Sequence, residues 1–135
     1  MQDGSTEYEG RIEVRKDGGP WGLVCDDNFD ITDGHVFCRM LGYTNGAEIV
    51  YKQSHFGHGN LDFHMDDLVC TGQELTFLDC PYGGWGSHNC GSTEATGVRC
   101  DPGWSGSSKY IILFEIVNLL KVFCEFKILL FQFWK

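Results

Sequence analysis

The residues able to do chemistry here are mainly cysteines and carboxylates. Six of the seven cysteines, Cys25, Cys38, Cys70, Cys80, Cys90 and Cys100, fall within the first hundred residues. An even set at that density predicts three disulfides and an oxidising compartment, although spacing alone does not choose among the pairings. Structural zinc is the competing use of cysteine, and no C-x2-C step is present to support it. The adjacent carboxylates Asp66-Asp67 have the chemistry of an acid–base pair. Neighbours in a strand point to opposite faces, however, which argues against joint catalysis. His55 and His58 sit in a glycine-containing loop and are expected to be solvated rather than metal-bound. No G-x-S-x-G elbow, H-E-x-x-H pair, P-loop or dinucleotide fingerprint occurs. The expected function is therefore non-catalytic.

Charge divides the chain into two kinds of polymer. Residues 1–103 carry 6 basic and 17 acidic side chains, whereas residues 104–135 carry 4 and 2. The acidic part excludes non-specific nucleic-acid binding, which needs a basic field. It also lacks an N-x-[ST] sequon, and Met1 to Glu7 has neither the basic nor the apolar region of a secretory leader.

The elements that must position these groups are short. Arg11 to Arg15 alternates as a half-buried strand, and Lys16-Asp17-Gly18-Gly19-Pro20 turns the chain into a second strand over 21–25. Residues 31–41 form the expected helix, with Asp30 or Thr32 as cap, Val36, Phe37, Met40 and Leu41 as its apolar face, and Gly42 as its stop. Residues 54–59 read as a loop, 68–70 as a strand, 74–79 as one helical turn, 81–89 as a glycine-rich loop and 97–100 as a closing strand. Trp21 and Trp85 are expected to pack. So thin a core depends on its disulfides.

Several blocks carry a family pattern: Glu9-Gly10-Arg11-Ile12-Glu13-Val14, Trp21-Gly22-Leu23-Val24-Cys25-Asp26-Asp27, and Val36-Phe37-Cys38-Arg39-Met40-Leu41-Gly42-Tyr43. Met65-Asp66-Asp67-Leu68-Val69-Cys70, Leu78-Asp79-Cys80, His88-Asn89-Cys90 and Gly97-Val98-Arg99-Cys100 follow in order. The chain resembles the scavenger receptor cysteine-rich (SRCR) domain over about residues 4–101. Tyr43 stands where the eight-cysteine subgroup has a further cysteine, so the six-cysteine (group A-like) subgroup is the better match. The resemblance implies a small disulfide-rich α+β fold in which a curved antiparallel sheet cradles one main helix. It also implies the pairs Cys25–Cys90, Cys38–Cys100 and Cys70–Cys80, and an extracellular or membrane-associated location. Met1-Gln2 stands in place of the family's apolar opening strand, so the first strand is expected to be truncated.

With that pairing, Asp26, Asp27 and Glu94 would lie together, and crowded carboxylates call for a cation. All-oxygen ligands suit Ca2+, or less well Mg2+. Similarity to the family implies a weak site at these three residues and a second at Asp66 and Asn89; Ala95 replaces an acidic residue common in relatives. Polyanionic or protein ligands are the implied partners, with Arg11, Arg15, Arg39, Lys52 and Arg99 as candidate ligand-binding residues. The expected function is a ligand-binding module of scavenger or pattern-recognition type in innate immunity. The alternative is an accessory module of a larger enzyme, such as a lysyl oxidase-like protein or a serine protease.

The expected organisation is an SRCR domain at 1–101, a linker at 102–109 and an apolar tail at 110–135. Of the 25 residues from Tyr110 to Trp134, 19 are apolar, but Glu115, Lys121, Glu125 and Lys127 interrupt them. Each central charge costs ~2.5–3.5 kcal/mol on insertion, which offsets the aliphatic gain. As a helix the segment would carry most of its polar residues on one stripe, leaving membrane association through 110–134, a partner helix and an unselected extension as the readings. Cys124, the seventh cysteine, lies in this tail.

Overall fold

The structure is a computed structural model that describes residues 1–103; the expectations placed on the linker from residue 104 and on the tail fall outside the described residues. Its elements are β1 (Glu9–Arg11), β2 (Glu13–Val14), β3 (Gly22–Val24), α1 (Ile31–Met40), β4 (Ala47–Tyr51), β5 (Phe63–Met65), a 3-10 turn (Phe77–Asp79) and β6 (Gly97–Cys100). Among the described residues no helix is long and apolar enough to cross a membrane.

The fold is the small disulfide-rich α+β arrangement expected, with one main helix packed on sheet; its strands fall into two three-stranded sheets. The first runs β1-β6-β4 and is antiparallel throughout; the second runs β2-β3-β5, with β2 antiparallel and β5 parallel to β3. The division falls at Ile12, which is buried between β1 and β2 and donates its N–H to the Thr96 carbonyl. Gln2 joins by a bridge to Arg11, exchanging both backbone hydrogen bonds.

Helix α1 begins and ends for identifiable reasons. The Asp30 carboxylate accepts from the Thr32 N–H at 2.7 Å, and Asp33 reciprocates to the Asp30 N–H at 2.7 Å, which makes a capping box. At the other end Gly42, at φ 93°, donates to Arg39 O and Tyr43 donates to Cys38 O, the paired bonds of a Schellman stop. The buried face differs from expectation. Asp33, Gly34, Val36, Phe37 and Cys38 face inward, while Met40 and Leu41 are exposed. The cause is close docking on β4 and β6: a methyl at Gly34 would meet Ala47 Cβ at 3.0 Å, and Cys38 is bonded to Cys100.

The main core joins Val24, Phe29, Val36, Phe37, Met65, Leu68 and Val98, with Phe37 stacked on Phe77 at 5.2 Å. A smaller cluster of Leu23, Cys25, Phe63 and Ala95 lies behind the acidic loops. Trp85 packs against the core edge and stacks on His64 at 4.8 Å. Trp21 is half exposed under the Arg15 guanidinium, 4.6 Å from its ring centre. The strand expected at 68–70 does not form. Asp67 turns to φ 52°, and the Cys70 N–H goes to Asp33 rather than to a neighbouring strand.

Candidate functional site

Three disulfides set the frame. Cys25–Cys90 and Cys38–Cys100 span separations of 65 and 62 residues, and Cys70–Cys80 closes one of 10. The first brings the end of β3 beside the loop that precedes β6, and Cys25 also bridges to Ala95. Asp26 and Asp27 leave one half-cystine, Asn89 precedes the other, and Asp66 follows β5.

The resulting cluster is centred on Asp27. One oxygen each of Asp27 and Asp66 lie within 4.8 Å of one another, beside the Cys25 and Cys90 sulfurs. One end of the Asn89 side-chain amide stands 3.2 Å from Asp66 Oδ2 and 3.3 Å from Asp27 Oδ2. With Nδ2 inward that amide donates to both carboxylates; with Oδ1 inward, three oxygens meet at one point. Burial pushes the Asp27 carboxyl pKa up, and the negative charges of Asp66, Glu94, Asp26 and Asp67 push it further the same way. Asp67 is itself held by Asn28, whose Nδ2 donates to Oδ1 at 2.6 Å.

Asp26 and Glu94 line an adjoining depression with Gln53 and Thr93. Asp26 is buried; its Oδ2 accepts from the Gln53 N–H at 2.6 Å, and its own N–H donates to Glu94 O at 2.8 Å. The Glu94 carboxylate turns back to accept from the Gly91 N–H. The expected trio is thus distributed: Asp26 shares a depression with Glu94, while Asp27 groups most closely with Asp66 and Asn89, the pair assigned from sequence to a separate site.

The basic candidates have different fates. Arg11 is a correction: it is buried, bonded to Asp3 at 2.6 Å and Glu13 at 2.6 Å, and it donates to the Phe56 and Gly57 carbonyls. With its donors turned inward, it cannot meet a ligand. Lys52 stands at the acidic surface, Nζ donating to the Asp26 carbonyl at 2.8 Å. Arg39 donates to Gly72 O, Arg15 covers Trp21, and Arg99 pairs with Glu48 at 3.0 Å over the Tyr8 ring. His55 stacks on Tyr51 at 4.5 Å and His58 tilts on Phe63 at 5.7 Å, so each imidazole has its own aromatic neighbour.

Gln53 and Ser54 contribute without having been legible as site residues. Both adopt positive φ, at 57° and 50°, and Ser54 Oγ donates to Ser92 O while accepting from the Ala95 N–H. That clip holds the Glu94 turn against Asp26. No residue type in Lys52-Gln53-Ser54 signals a left-handed pair.

Comparison with known proteins places the sequence and the fold. The profile described as "Scavenger receptor cysteine-rich domain" matches residues 2–101. A "Scavenger receptor cysteine-rich domain superfamily protein" from Patiria pectinifera is 42% identical over 98 residues, 73% of this chain, and the chain spans only 8% of that relative. The third SRCR domain of murine neurotrypsin is similar in structure with a TM-score of 0.67 and 40% identity, over 75% of this chain and 92% of that one. The SRCR domain of mouse MARCO, solved in a dimeric form, gives a TM-score of 0.62 and 39% identity over 69% and 86%.

Proposed function

The chain belongs to the scavenger receptor cysteine-rich domain family, and we propose that it serves as the ligand-binding module of a scavenger or pattern-recognition receptor, using a divalent cation at its acidic surface. Domains of this family are generally extracellular or membrane-associated, non-catalytic, and bind protein or polyanionic ligands. The observation that carries the cation reading is the closeness of Asp27 and Asp66, one oxygen of each lying within 4.8 Å of the other. Ca2+ takes oxygens at about 2.3–2.6 Å, so two carboxylate oxygens within 4.8 Å of each other can both reach one ion. Asp27, Asp66 and Asn89 would hold it, with Asp26 and Glu94 adding negative charge alongside. Half-cystine sulfurs contribute nothing to so hard a cation.

A bound Ca2+ would reverse the sign problem of an acidic domain that meets anions. It neutralises the carboxylates and leaves coordination positions for a sulfate or carboxylate of the ligand. Lys52, already fixed beside Asp26, supplies a second positive charge within the same surface. The alternative is an accessory module of a parent enzyme such as a lysyl oxidase-like protein or a serine protease; the chain spans only 8% of its Patiria pectinifera relative, a length that suits either a long receptor or such an enzyme.

Calorimetric titration of the full chain with Ca2+, beside Asp27→Ala and Asp66→Ala, tests the cation. Heat in the wild type that both substitutions remove is the expected result, and a wild type without heat would sink the reading. Retention on immobilised dextran sulfate, lost on adding chelator, tests the ligand class; retention indifferent to chelator would sink cation assistance.

A further inference from the structure

Asp33 is the most deeply buried carboxylate among the described residues, 1% exposed, yet it lies inside α1 rather than at the acidic surface. Each of its oxygens is committed to a different loop. Oδ2 accepts from the Asp30 N–H at 2.7 Å, and Oδ1 accepts from the Cys70 N–H at 2.6 Å. Asp30 closes the segment that starts with Asp26 and Asp27. Cys70 closes the segment that starts with Asp66 and Asp67, and is pinned in turn to Cys80. We propose that Asp33 is a positioning residue that sets the spacing between Asp27 and Asp66 by bracing both loops from below.

A helix-capping role alone would use only the Asp30 bond. The bond to Cys70 runs outside the helix and explains why the chain after Asp67 forms no strand, since its N–H is spent on the brace. Charge suits the task as well: a carboxylate accepts strongly at both oxygens, whereas an amide in the same place turns an NH2 toward one of the two donors. The exposed bond from Asn28 to Asp67 ties the same loops at the surface, where water competes for it. The consequence for cation affinity rests on the function proposed above; the brace itself does not.

The test is Asp33→Asn in the full chain, read by amide hydrogen exchange and by Ca2+ titration, with Asp30→Ala as the control that disturbs the helix cap but keeps both Asp33 acceptor bonds. In Asp33→Asn the amides of 26–28 and of 66–70 are expected to lose protection together, and Ca2+ affinity to fall about tenfold or more, as when a group orienting a metal ligand is removed. In Asp30→Ala the changes stay at Thr32 and Asp33 and the affinity holds within about twofold of wild type, well inside that loss. A response confined to one loop, or both loops responding with unchanged affinity, overturns the proposal. A wild type that takes up no Ca2+ removes the cation reading and leaves the exchange result to decide the brace. Where Asp33→Asn fails to fold, Asn28→Ala decides: a brace at Asp33 keeps the loops spaced without the surface bond, so a tenfold loss of affinity there would transfer the role to Asn28 and overturn the assignment.

Discussion

Asn89 contacts Asp66 twice, through its backbone N–H at 3.2 Å and through one end of its side-chain amide at 3.2 Å, both to Oδ2. The backbone bond fixes the loop, and with Nδ2 inward the amide donates to Asp66 and Asp27 together. The donor end relieves the repulsion between Asp66 and Asp27; in the Ca2+-bound form proposed above the oxygen end would turn inward as a ligand. Asn89→Ala is expected to retain the fold and weaken Ca2+ binding by about tenfold or more, measured by titration. An unchanged affinity would remove Asn89 from the ligand set.

Asp27 should show effects of opposite sign with and without the ion. Its raised carboxyl pKa, caused first by burial and then by Asp66, means the unfolded chain gives up this proton at lower pH than the folded one. Stability is therefore lost as pH rises from the unfolded value of 3.8 to the higher folded one, and the full penalty is present at neutral pH. Asp27→Asn is expected to raise Tm in chelator and to show no rise with Ca2+, where the proposed site predicts one for the wild type. Calorimetric scans in the two conditions check both; a lower Tm in chelator would show that the negative charge is not the cost.

Much of this was legible from residue types whose physics is local. Asp30, Gly42 and the alternation at 11–15 announce a cap, a stop and a strand through interactions within a few positions. The failures are long-range. The outward turn of Met40 and Leu41 follows from how closely Gly34 docks on Ala47, and the burial of Arg11 from carbonyls 45 and 46 residues away. Likewise the approach of Asp27 to Asp66 joins residues far apart in the chain. The side of the Cys25–Cys90 bond on which each carboxylate falls depends on backbone turns at Asn28 and Asp67, both at positive φ, which no single residue type demands.

The disulfides should differ in worth by the loops they close. Constraining an unfolded loop of 62 residues is worth about 4 kcal/mol, and one of 10 about 3 kcal/mol, in the chain-entropy account. Replacing Cys38 and Cys100 by alanine is therefore expected to cost more than replacing Cys70 and Cys80, as urea unfolding of the two double variants would show. The reverse order would mean that the short loop carries native contacts beyond its own closure, with the Asp33 bond to Cys70 the first suspect.

Glu74 predicts a feature of the acid limb. Its carboxylate accepts from the Thr71 N–H at 2.7 Å, the Thr71 hydroxyl at 2.8 Å and the Gly72 N–H at 2.9 Å, and these bonds, led by that from Thr71, lower its pKa from 4.5 to about 2. Because the folded value lies below the unfolded one, the contribution is whole above 4.5 and drains away as pH falls toward about 2. Glu74→Gln should lose stability at neutral pH and show a flatter decline across that window. Equal slopes for the two proteins would mean the turn does not hold the charged form in solution.

Arg11 separates fold from function. Its guanidinium joins Asp3, near the start of the chain, to Glu13 in β2 and to the loop carbonyls of Phe56 and Gly57, all from a side chain 6% exposed. Removing one partner of a buried pair typically costs ~3–5 kcal/mol, because the remaining charge is left uncompensated. Glu13, at 14% exposure, would be that charge. Arg11→Met is thus expected to lower stability by about that amount, while Arg11→Met with Glu13→Leu recovers a large part of it. Once corrected for the folded fraction, binding to dextran sulfate should match the wild type, whereas Lys52→Ala should weaken it without touching stability. A binding defect in folded Arg11→Met, beyond what Lys52→Ala gives, would return Arg11 to the ligand surface.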